Sequence, residues 1–530
     1  MHKRLWLSKS LLLLAVVLLI SGTLLHYKFG YFLYDQSGHA WGADDAYISY
    51  RYAQNLSLGY GLVFNPGERV EGYSNLLFVL AAWLFLSAGV PPASLYLAIT
   101  LLNLIFAIGL VLTFYKLAVT ELDETKASLG ALILSLSPVL WIWTSAGLEI
   151  PLVVLLQILI WISVNSLEIR GSRFYAGIWI AATLLLCLTR ADGFVFPAIS
   201  LVFLGFKSQR RLFFIFLFVL LLIVGILTAW RLLYYGQLLP NTYYVKVSGP
   251  LEERFKIAAV LLAYIAVNQG FLGYFSTIVH SIYTVFRESY RKRQPLRSKL
   301  GFETFASVLW IAYWFIIGGG TYLERFLVIL IPLSIFSMLR LIRHAKSIET
   351  RIVVAVFLLL QAGIILIDPR FDYSVEKYDR WVNLGNYFKD SYPGKVIAVD
   401  AVGKISFFSG LKTIDMLGLN DPHISKIDPK YFSPGHNKFD PDYILDQKPD
   451  LISTWIANCP EFDCNWLDLS YGLTEEKYIQ GGYTLAYLIY TGNSLTGEWL
   501  KDVSQYEPQA KLELIDQGYK YAVLVDSGQN

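Results

Sequence analysis

Two adjacent carboxylates, Asp44 and Asp45, begin a helical pattern in the stretch WGADDAYISYRYAQNLS. A carboxylate in the first turn of a helix meets free backbone N–H groups and the positive end of the helix dipole, so it stays ionised. An ionised, positioned carboxylate can accept a proton during a reaction. The alternative is a capped interfacial helix beside a solvated loop, and the spacing alone does not decide between the two.

A tight turn with more charges follows this helical pattern. In VFNPGERV, Pro66 and Gly67 take the central positions of a predicted type II turn. Proline suits the first of these positions, and glycine permits the positive φ that the second requires. The turn forms a small hairpin that returns Glu68, Arg69 and Glu71 toward the membrane.

The composition is that of a membrane protein. Of the 530 residues, 55% are hydrophobic and only 16% are charged, and the mean hydropathy is +0.48. Soluble domains carry about a quarter charged residues. The net charge of +3 gives no sign of a nucleic-acid partner. The basic start and apolar run of MHKRLWLSKSLLLLAVVLLISGTLL predict an uncleaved first span with a cytoplasmic N-terminus.

Eleven apolar runs approach the length needed to cross a bilayer. They are 5–25, 95–117, 127–144, 149–166, 174–189, 192–206, 211–234, 256–286, 303–320, 322–343 and 351–368. Basic connectors near 207–211, 287–299 and 340–351 are predicted to be cytoplasmic. The orientations agree only if the shorter run 75–90 does not cross. We therefore predict that it is juxtamembrane, within a first outer loop of residues 26–94.

The polar connectors share the outer face in this topology. They are TSAGLEIP (144–151), TRADG (189–193), PNTYYVK (240–246), GGGTYLERF (318–326) and the region after 368. The span interiors carry almost no ionisable residues, whereas a transporter or proton pump usually holds charges near the midplane. We therefore expect chemistry at the outer surface.

The region from about 370 has the composition of a soluble domain. Strand patterns at 395–400, 412–421, 449–455, 483–491 and 519–526, with helical patterns at 373–390 and 402–410, predict its secondary structure. We expect a membrane domain over 1–369 and a small extracytoplasmic α/β domain over 370–530. A disulfide between Cys459 and Cys464 is favoured over free thiols, because the compartment is oxidising and a second pair of metal ligands is absent.

Several stretches resemble, in order and placement, the GT-C superfamily of polyprenyl-phosphate-sugar-dependent glycosyltransferases. They are DDAYISYRYAQNLSLGYGLVFNPGERVEGYSN, GLEIPL, TRADG, PNTYYVK, ERFLVILIPL and DAVGKISFFSGLKTIDMLGLND, which together extend over roughly the first 425 residues. The likeness is nearest to the branch of the mycobacterial terminal β-(1→2)-arabinofuranosyltransferase. It implies a polytopic α-helical membrane protein with juxtamembrane helices in its first outer loop.

The resemblance also implies the site. Asp44 matches the catalytic base at the mouth of the first span, and Asp45 a second carboxylate that orients the acceptor or a metal. The remaining assignments are Arg190, Arg325 and Lys246 for the donor phosphate, and Tyr243, Glu149, Asp192 and Glu71 for the substrate cavity. The residues alone leave an alternative open for each of these assignments. Arg190 and Asp192 could form a local ion pair, Arg325 could pair with Glu324, and Glu149 could cap a helix. The scattered histidines, His436 among them, fit solvated loops.

The implied reaction moves a sugar from a polyprenyl-phosphate donor to a glycan, glycolipid or glycoprotein acceptor. It takes place by inverting displacement on the extracytoplasmic face of a bacterial inner membrane. The acceptor hydroxyl must lose a proton, and the leaving phosphate needs a cation. A divalent cation stays possible, but adjacent helical side chains diverge by about 100°, which favours a metal-free base. Two other classes stay open, a transporter of lipid-linked sugar and a non-catalytic envelope assembly protein.

Overall fold

The computed structural model describes residues 2–30, 42–170, 173–320, 322–342, 347–371, 378–431, 433, 435–457, 467–492 and 498–529. The predicted Cys459–Cys464 disulfide lies outside the described residues. The helices before residue 372 are α1 His2–Phe29, α2 Asp44–Ser57, α3 Leu76–Ser87, α4 Pro92–Val119, α5 Glu124–Ser135, α6 Pro138–Ser145, α7 Ile150–Arg170, α8 Arg173–Thr189, α9 Val195–Phe206, α10 Arg210–Tyr235, α11 Asn241–Lys246, α12 Leu251–Asn268, α13 Phe271–Lys292, α14 Phe302–Ile317, α15 Leu330–Leu341 and α16 Ser347–Ile367.

The helices identify an integral membrane protein. Within the described residues, α1, α4, α7 and α10 are each long and apolar enough to cross a bilayer, and the bent pairs α5–α6 and α12–α13 raise that number from four to six. Shorter apolar helices, α3, α8, α9, α14, α15 and part of α16, accompany them. Each of the eleven predicted runs coincides with a helix or a bent pair. The number of crossings itself stays a prediction.

The two bends have causes in the sequence. Between α5 and α6 the axis turns by 57°, where Pro138 at the start of α6 restricts Ser137 before it to an extended conformation. Between α12 and α13 the axis turns by 109°. There Gly270 adopts a φ of +69°, which a residue with a side chain rarely takes.

The described part of the predicted first outer loop contains α2, a tight turn and α3. The predicted helix start is confirmed, because α2 begins at Asp44. The predicted type II turn is also confirmed: Gly67 has a φ of +87°, and the Glu68 N–H donates to the Asn65 carbonyl over 3.1 Å. The tyrosines of α2 are buried, so this helix is packed on several sides and is not a solvated surface element.

The run 75–90 forms α3, a helix of 12 residues. The basic connectors keep their predicted cytoplasmic side only if this helix does not cross the membrane. We therefore expect a topology reporter fused after Val90 to read external. A cytoplasmic reading at Val90 would add a crossing and invert every later assignment.

The C-terminal region is the predicted α/β domain. Its elements are α17 Arg380–Ser391, β1 Val396–Val399, α18 Lys404–Ser409, β2 Lys412–Asp415, α19 Pro441–Asp446, β3 Leu451–Trp455, α20 Glu475–Gln480, β4 Tyr483–Tyr490, β5 Leu500–Asp502, α21 Pro508–Asp516 and β6 Tyr519–Asp526. They form a mixed sheet of order β2-β1-β3-β6-β4-β5. Strands β2, β1 and β3 are mutually parallel, and β6, β4 and β5 pair antiparallel.

The sheet domain is packed directly onto the first outer loop. One hydrophobic core runs from the membrane helices through α2 into α18 and one face of the sheet, and a second core lies on the other face. The buried Arg51 of α2 donates to the carbonyls of Ser406 and Leu411. Asn65 exchanges two hydrogen bonds with the backbone of Thr413. The two parts therefore hold one another in a fixed orientation.

Candidate active site

An open polar cleft lies between α2, α11 and the segment that precedes α15. Oδ2 of Asp45 is 3.3 Å from Nζ of Lys246 and 3.9 Å from a guanidinium nitrogen of Arg325. All three side chains line the cleft. Burial raises the pKa of Asp45, but the charges of Lys246 and Arg325 outweigh it and hold the pKa below its ordinary value. Asp45 is therefore an ionised carboxylate facing the cleft.

Glu149 is the buried centre of the site. Its Oε1 accepts from Arg325 over 2.6 Å and from Arg190 over 3.2 Å, and its Oε2 accepts from the Asn75 amide over 2.8 Å. Ser49 of α2 donates to Asn75 over 2.7 Å. Burial opposes ionisation, but the two guanidinium groups lower the pKa of Glu149. A fully buried carboxylate is tolerated here because every partner is in place.

Arg190 contacts Glu149 and is not one of the residues that line the cleft. Its guanidinium forms a bidentate pair with Asp192 at 2.7 and 3.3 Å and lies over the Phe326 ring. The Tyr313 hydroxyl donates to Asp192 over 2.6 Å. The local ion pair suggested by the sequence is thus present, and it is joined to Glu149. Arg190, Asp192 and Arg325 border a mainly apolar cavity between α7, α9 and α14.

Asp44 is directed away from the cleft. Its Oδ2 accepts from the Gly403 N–H over 2.9 Å, and its Oδ1 accepts from the Lys404 N–H over 2.8 Å. Burial raises the pKa of Asp44 to about 6, although these amides and the Lys404 charge oppose the rise. The residues that line the cleft include Asp45 and do not include Asp44. Asp44 is therefore bound to the backbone at the start of α18, whereas Asp45 faces the cleft.

Glu71 lies beside the site in a second apolar cavity. Its Oε2 accepts from Arg231 of α10 over 2.5 Å. Burial raises the pKa of Glu71 to about 6, and Arg231 opposes this. The cavity is bordered by α8 and α10, and it shares Tyr73 and Ser74 with the polar cleft. Glu71 is therefore adjacent to Asp45's cleft but is not one of the residues that line it.

Helix α11 contributes two residues to the lining of the cleft. Thr242 and Lys246, four positions apart on α11, line the cleft together, because residues at this spacing share a helix face. The intervening Tyr243 is 45% exposed and packs against the Tyr244 ring. Tyr243 lies at the surface, and its assignment to the substrate cavity stays a prediction.

Some residues of the site escaped the sequence analysis. His436 of the C-terminal domain is exposed, as expected of a loop residue, but it also lies near Lys246 and Asp45. Arg231 belonged to an apolar run and carried no local signal. Ser49 and Asn75 belong to the stretch DDAYISYRYAQNLSLGYGLVFNPGERVEGYSN, but the sequence analysis assigned them no role. The alternative pairing of Arg325 with Glu324 is replaced, since Glu324 accepts from Arg370 over 2.8 Å.

Comparison with known proteins shows which fold holds this site. A family model described as "Domain of unknown function (DUF8728)" matches residues 371–523. No curated protein matches the sequence significantly. Among solved structures, the chain is similar to ArnT from Cupriavidus metallidurans bound to undecaprenyl phosphate. The TM-score is 0.57 at 10% identity, over 96% of this chain and 98% of that one.

A second group of solved structures is similar over a comparable length. The oligosaccharyltransferase AglB from Archaeoglobus fulgidus, in complex with an inhibitory peptide and a dolichol-phosphate, gives a TM-score of 0.52 at 12% identity. The match covers 93% of this chain and 74% of that one. The chain has the GT-C fold. The predicted fold class is thereby confirmed, and the GT-C fold includes both the helical bundle and the sheet domain in these matches.

A metal is the remaining question that this GT-C fold raises, since the Archaeoglobus fulgidus oligosaccharyltransferase has been solved in complex with Zn and sulfate. In the part of the chain that the structure describes, no group of three or more His, Cys, Asp or Glu side chains is arranged to hold a metal ion. Lys246 and Arg325 lie next to the Asp45 carboxylate. Two cations beside the principal donor oxygen repel a third, so the residues present do not fit a divalent ion.

Proposed function

We propose that this protein is a membrane glycosyltransferase that moves a sugar from a polyprenyl-phosphate donor to an acceptor hydroxyl. One observation carries the proposal: an ionised carboxylate, Asp45, faces an open cleft beside two cations, Lys246 and Arg325. Transfer from a sugar phosphate requires this combination of a proton acceptor and a charge sink. The structures of the same fold with undecaprenyl phosphate and dolichol-phosphate support the donor class.

We assign the base to Asp45 instead of Asp44. Both oxygens of Asp44 already accept backbone N–H groups. Asp45 contacts Lys246 and Arg325 through Oδ2 and is 21% exposed at the cleft. A general base must lie within hydrogen-bond reach of the proton that it removes, and Asp45 is the one of the pair that an acceptor in this cleft can reach.

The reaction is a single displacement at the anomeric carbon. The acceptor oxygen forms a bond to that carbon as its proton passes to Asp45. The bond from the carbon to the phosphate oxygen breaks on the opposite face, so the anomeric centre is inverted. The bonding pair leaves with the phosphate, which changes from a diester to a monoester and gains negative charge. Arg325 and Lys246 stabilise this developing charge electrostatically.

Donor binding also adjusts the base. In the free protein, Lys246 and Arg325 depress the proton affinity of Asp45. A phosphate that takes these cations as its own partners withdraws them from Asp45. The carboxylate then becomes a better proton acceptor at the moment when the acceptor hydroxyl arrives. Glu149 and Arg190 hold Arg325 in place from behind.

The acceptor and setting follow from the predicted topology. We propose that the cleft opens on the extracytoplasmic side of a bacterial inner membrane, where a glycan, glycolipid or glycoprotein supplies the hydroxyl. The donor sugar is a hexose, a pentose or an aminosugar, with arabinofuranose suggested by the resemblance of the first outer loop. The reaction needs no divalent cation, because Lys246 and Arg325 supply the positive charge beside Asp45.

The proposal is tested by turnover with purified protein and a polyprenyl-phosphate sugar labelled in the sugar. We expect the label to reach a hydroxyl acceptor with release of free polyprenyl phosphate, and we expect the rate to persist in EDTA. Movement of intact labelled lipid across vesicles without bond cleavage would instead identify a transporter. Loss of turnover in EDTA with recovery on adding Mg²⁺ or Mn²⁺ would contradict the metal-free site.

A further inference from the structure

The backbone just before Asp45 is held at three consecutive residues. Nζ of Lys404 donates to the Gly42 carbonyl over 2.9 Å. The Ala43 N–H donates to the Ala146 carbonyl over 2.9 Å. The Asp44 side chain accepts the two amide N–H groups of residues 403 and 404. Two of these three attachments come from the start of α18, in the C-terminal domain.

The contact between Asp44 and α18 is closer than any side chain at position 403 would allow. A Cβ atom on Gly403 would lie 2.0 Å from the Asp44 carbonyl oxygen and 2.7 Å from its Oδ2. The φ of Gly403 is −73°, which other residues adopt readily. Glycine is therefore required here by the approach of α2 to α18 and not by its own backbone conformation.

Lys404 makes the second attachment from a completely buried position. Its side chain is 0% exposed, and Nζ also donates to Oδ2 of Asp379 over 2.6 Å. Asp379 caps the start of α17. A buried ammonium group is costly unless it is paired, so Lys404 is tied to both partners. Through Lys404, the residue two positions before Asp44 is joined to the N-terminus of α17.

Resting on the proposed function, we propose that Asp44 is a positioning residue through which the C-terminal domain orients Asp45. Adjacent side chains on a helix diverge by about 100°, so fixing Asp44 on α18 fixes the direction of Asp45 into the cleft. A displacement of a reacting group by about 1 Å can cost about 100-fold in rate. Residues 403 and 404 of the C-terminal domain therefore belong to the apparatus of the active site, although they do not contact the substrates.

The first experiment compares Asp44→Asn with Asp44→Ala in the full chain. Asparagine keeps one acceptor oxygen for the amides of α18, whereas alanine keeps none. We expect kcat to fall about ten-fold in Asp44→Asn and about 100-fold or more in Asp44→Ala, with KM for the donor unchanged in both. Asp442→Asn, at an exposed ion pair remote from the cleft, is the matched control and should keep the wild-type rate.

This grading separates a positioning residue from a base. Neither asparagine nor alanine has the proton affinity of a carboxylate, so loss of a base would inactivate both variants equally. Equal inactivation of the two would therefore overturn the proposal, and so would two variants with unchanged kcat.

The second experiment adds a methyl group at the contact itself. Gly403→Ala should lower kcat without changing donor affinity and should speed hydrogen exchange in residues 404–409, because α18 must move away from α2. Gly528→Ala is the control in the same domain, since its added Cβ would meet its nearest neighbour at 3.5 Å, an ordinary contact. A Gly403→Ala protein that is less stable but turns over normally would overturn the proposal.

Failure of the proposed function would be recognised separately. If the wild-type protein transfers no sugar, the glycosyltransferase proposal fails. Hydrogen exchange in residues 404–409 of Asp44→Ala then still reports on the contact: faster exchange shows that Asp44 holds α18, and unchanged exchange shows that it does not. If the wild-type protein is active, the order of the Asp44 variants and the turnover of Gly403→Ala together decide the positioning role.

Discussion

Asp45→Asn is expected to abolish sugar transfer while leaving donor binding intact. The substitution preserves side-chain size but removes proton affinity, and loss of a general base typically costs about 10²–10⁴ in rate. Donor affinity should be unchanged or higher, because a negative charge 3.3 Å from Lys246 is removed from the phosphate site. Turnover and donor binding should both be measured on the purified variant in detergent or vesicles.

The contrast with Asp44 makes this result specific. Asp45→Asn and Asp45→Ala should be equally inactive, unlike the graded pair at Asp44. The exposed Asp442→Asn provides the same chemical change remote from the cleft and should turn over normally. Near-normal transfer by Asp45→Asn, together with an inactive Asp44→Asn, would return the base to Asp44 as the sequence resemblance implied.

Arg325→Ala is expected to weaken donor binding by at least about ten-fold. A hydrogen bond to a charged group is worth about 1.5–3 kcal/mol, which corresponds to about ten- to 150-fold in affinity. The fold should survive, because Glu149 keeps Arg190 and Asn75 as partners. Arg325→Lys should recover part of the loss, since it restores the charge without the planar fork. Binding of polyprenyl phosphate itself is the measurement.

Arg69 supplies the matched control for Arg325. Arg69 lies between α2 and α3, and its guanidinium lies over the Tyr234 ring instead of lining the cleft. Arg69→Ala should bind polyprenyl phosphate as the wild type does. Wild-type affinity in Arg325→Ala, with Lys246→Ala equally unaffected, would move the phosphate site out of this cleft.

Local patterns predicted the elements that the structure contains. The start of α2 at Asp44, the Pro66–Gly67 turn and five of the six strands of the C-terminal sheet each depend on neighbouring residues only, and each is confirmed. The three-residue strand β5 was not predicted. The convergence of Glu149, Arg190 and Arg325 was also anticipated, because three polar connectors were placed on one membrane face. Topology alone brings such connectors together when the span interiors are apolar.

The orientation of individual side chains could not be predicted from the sequence. The proposed choice of Asp45 over Asp44 as the base rests on the hydrogen bonds of Asp44 to amides 359 and 360 positions away in the chain. Thr242 lines the cleft and Tyr243 does not, and this difference depends on the rotation of a six-residue helix. Arg231 and His436 enter the site region only through tertiary packing. None of these contacts leaves a local periodicity for sequence analysis to detect.

The shared hydrophobic core shows that the segment recognised as a sequence family is not the same as the unit that packs together. Residues 371–523 match a family model as a single unit of sequence. Yet Val402, Ile405 and Phe407 of that unit are buried in the same core as α2 and the membrane helices. A fragment cut at residue 371 would present these side chains to water. The segment 371–523 that is recognisable as a sequence family is therefore smaller than the part of the chain that shares one core. Exchange of this segment between related proteins would have to include the predicted first outer loop.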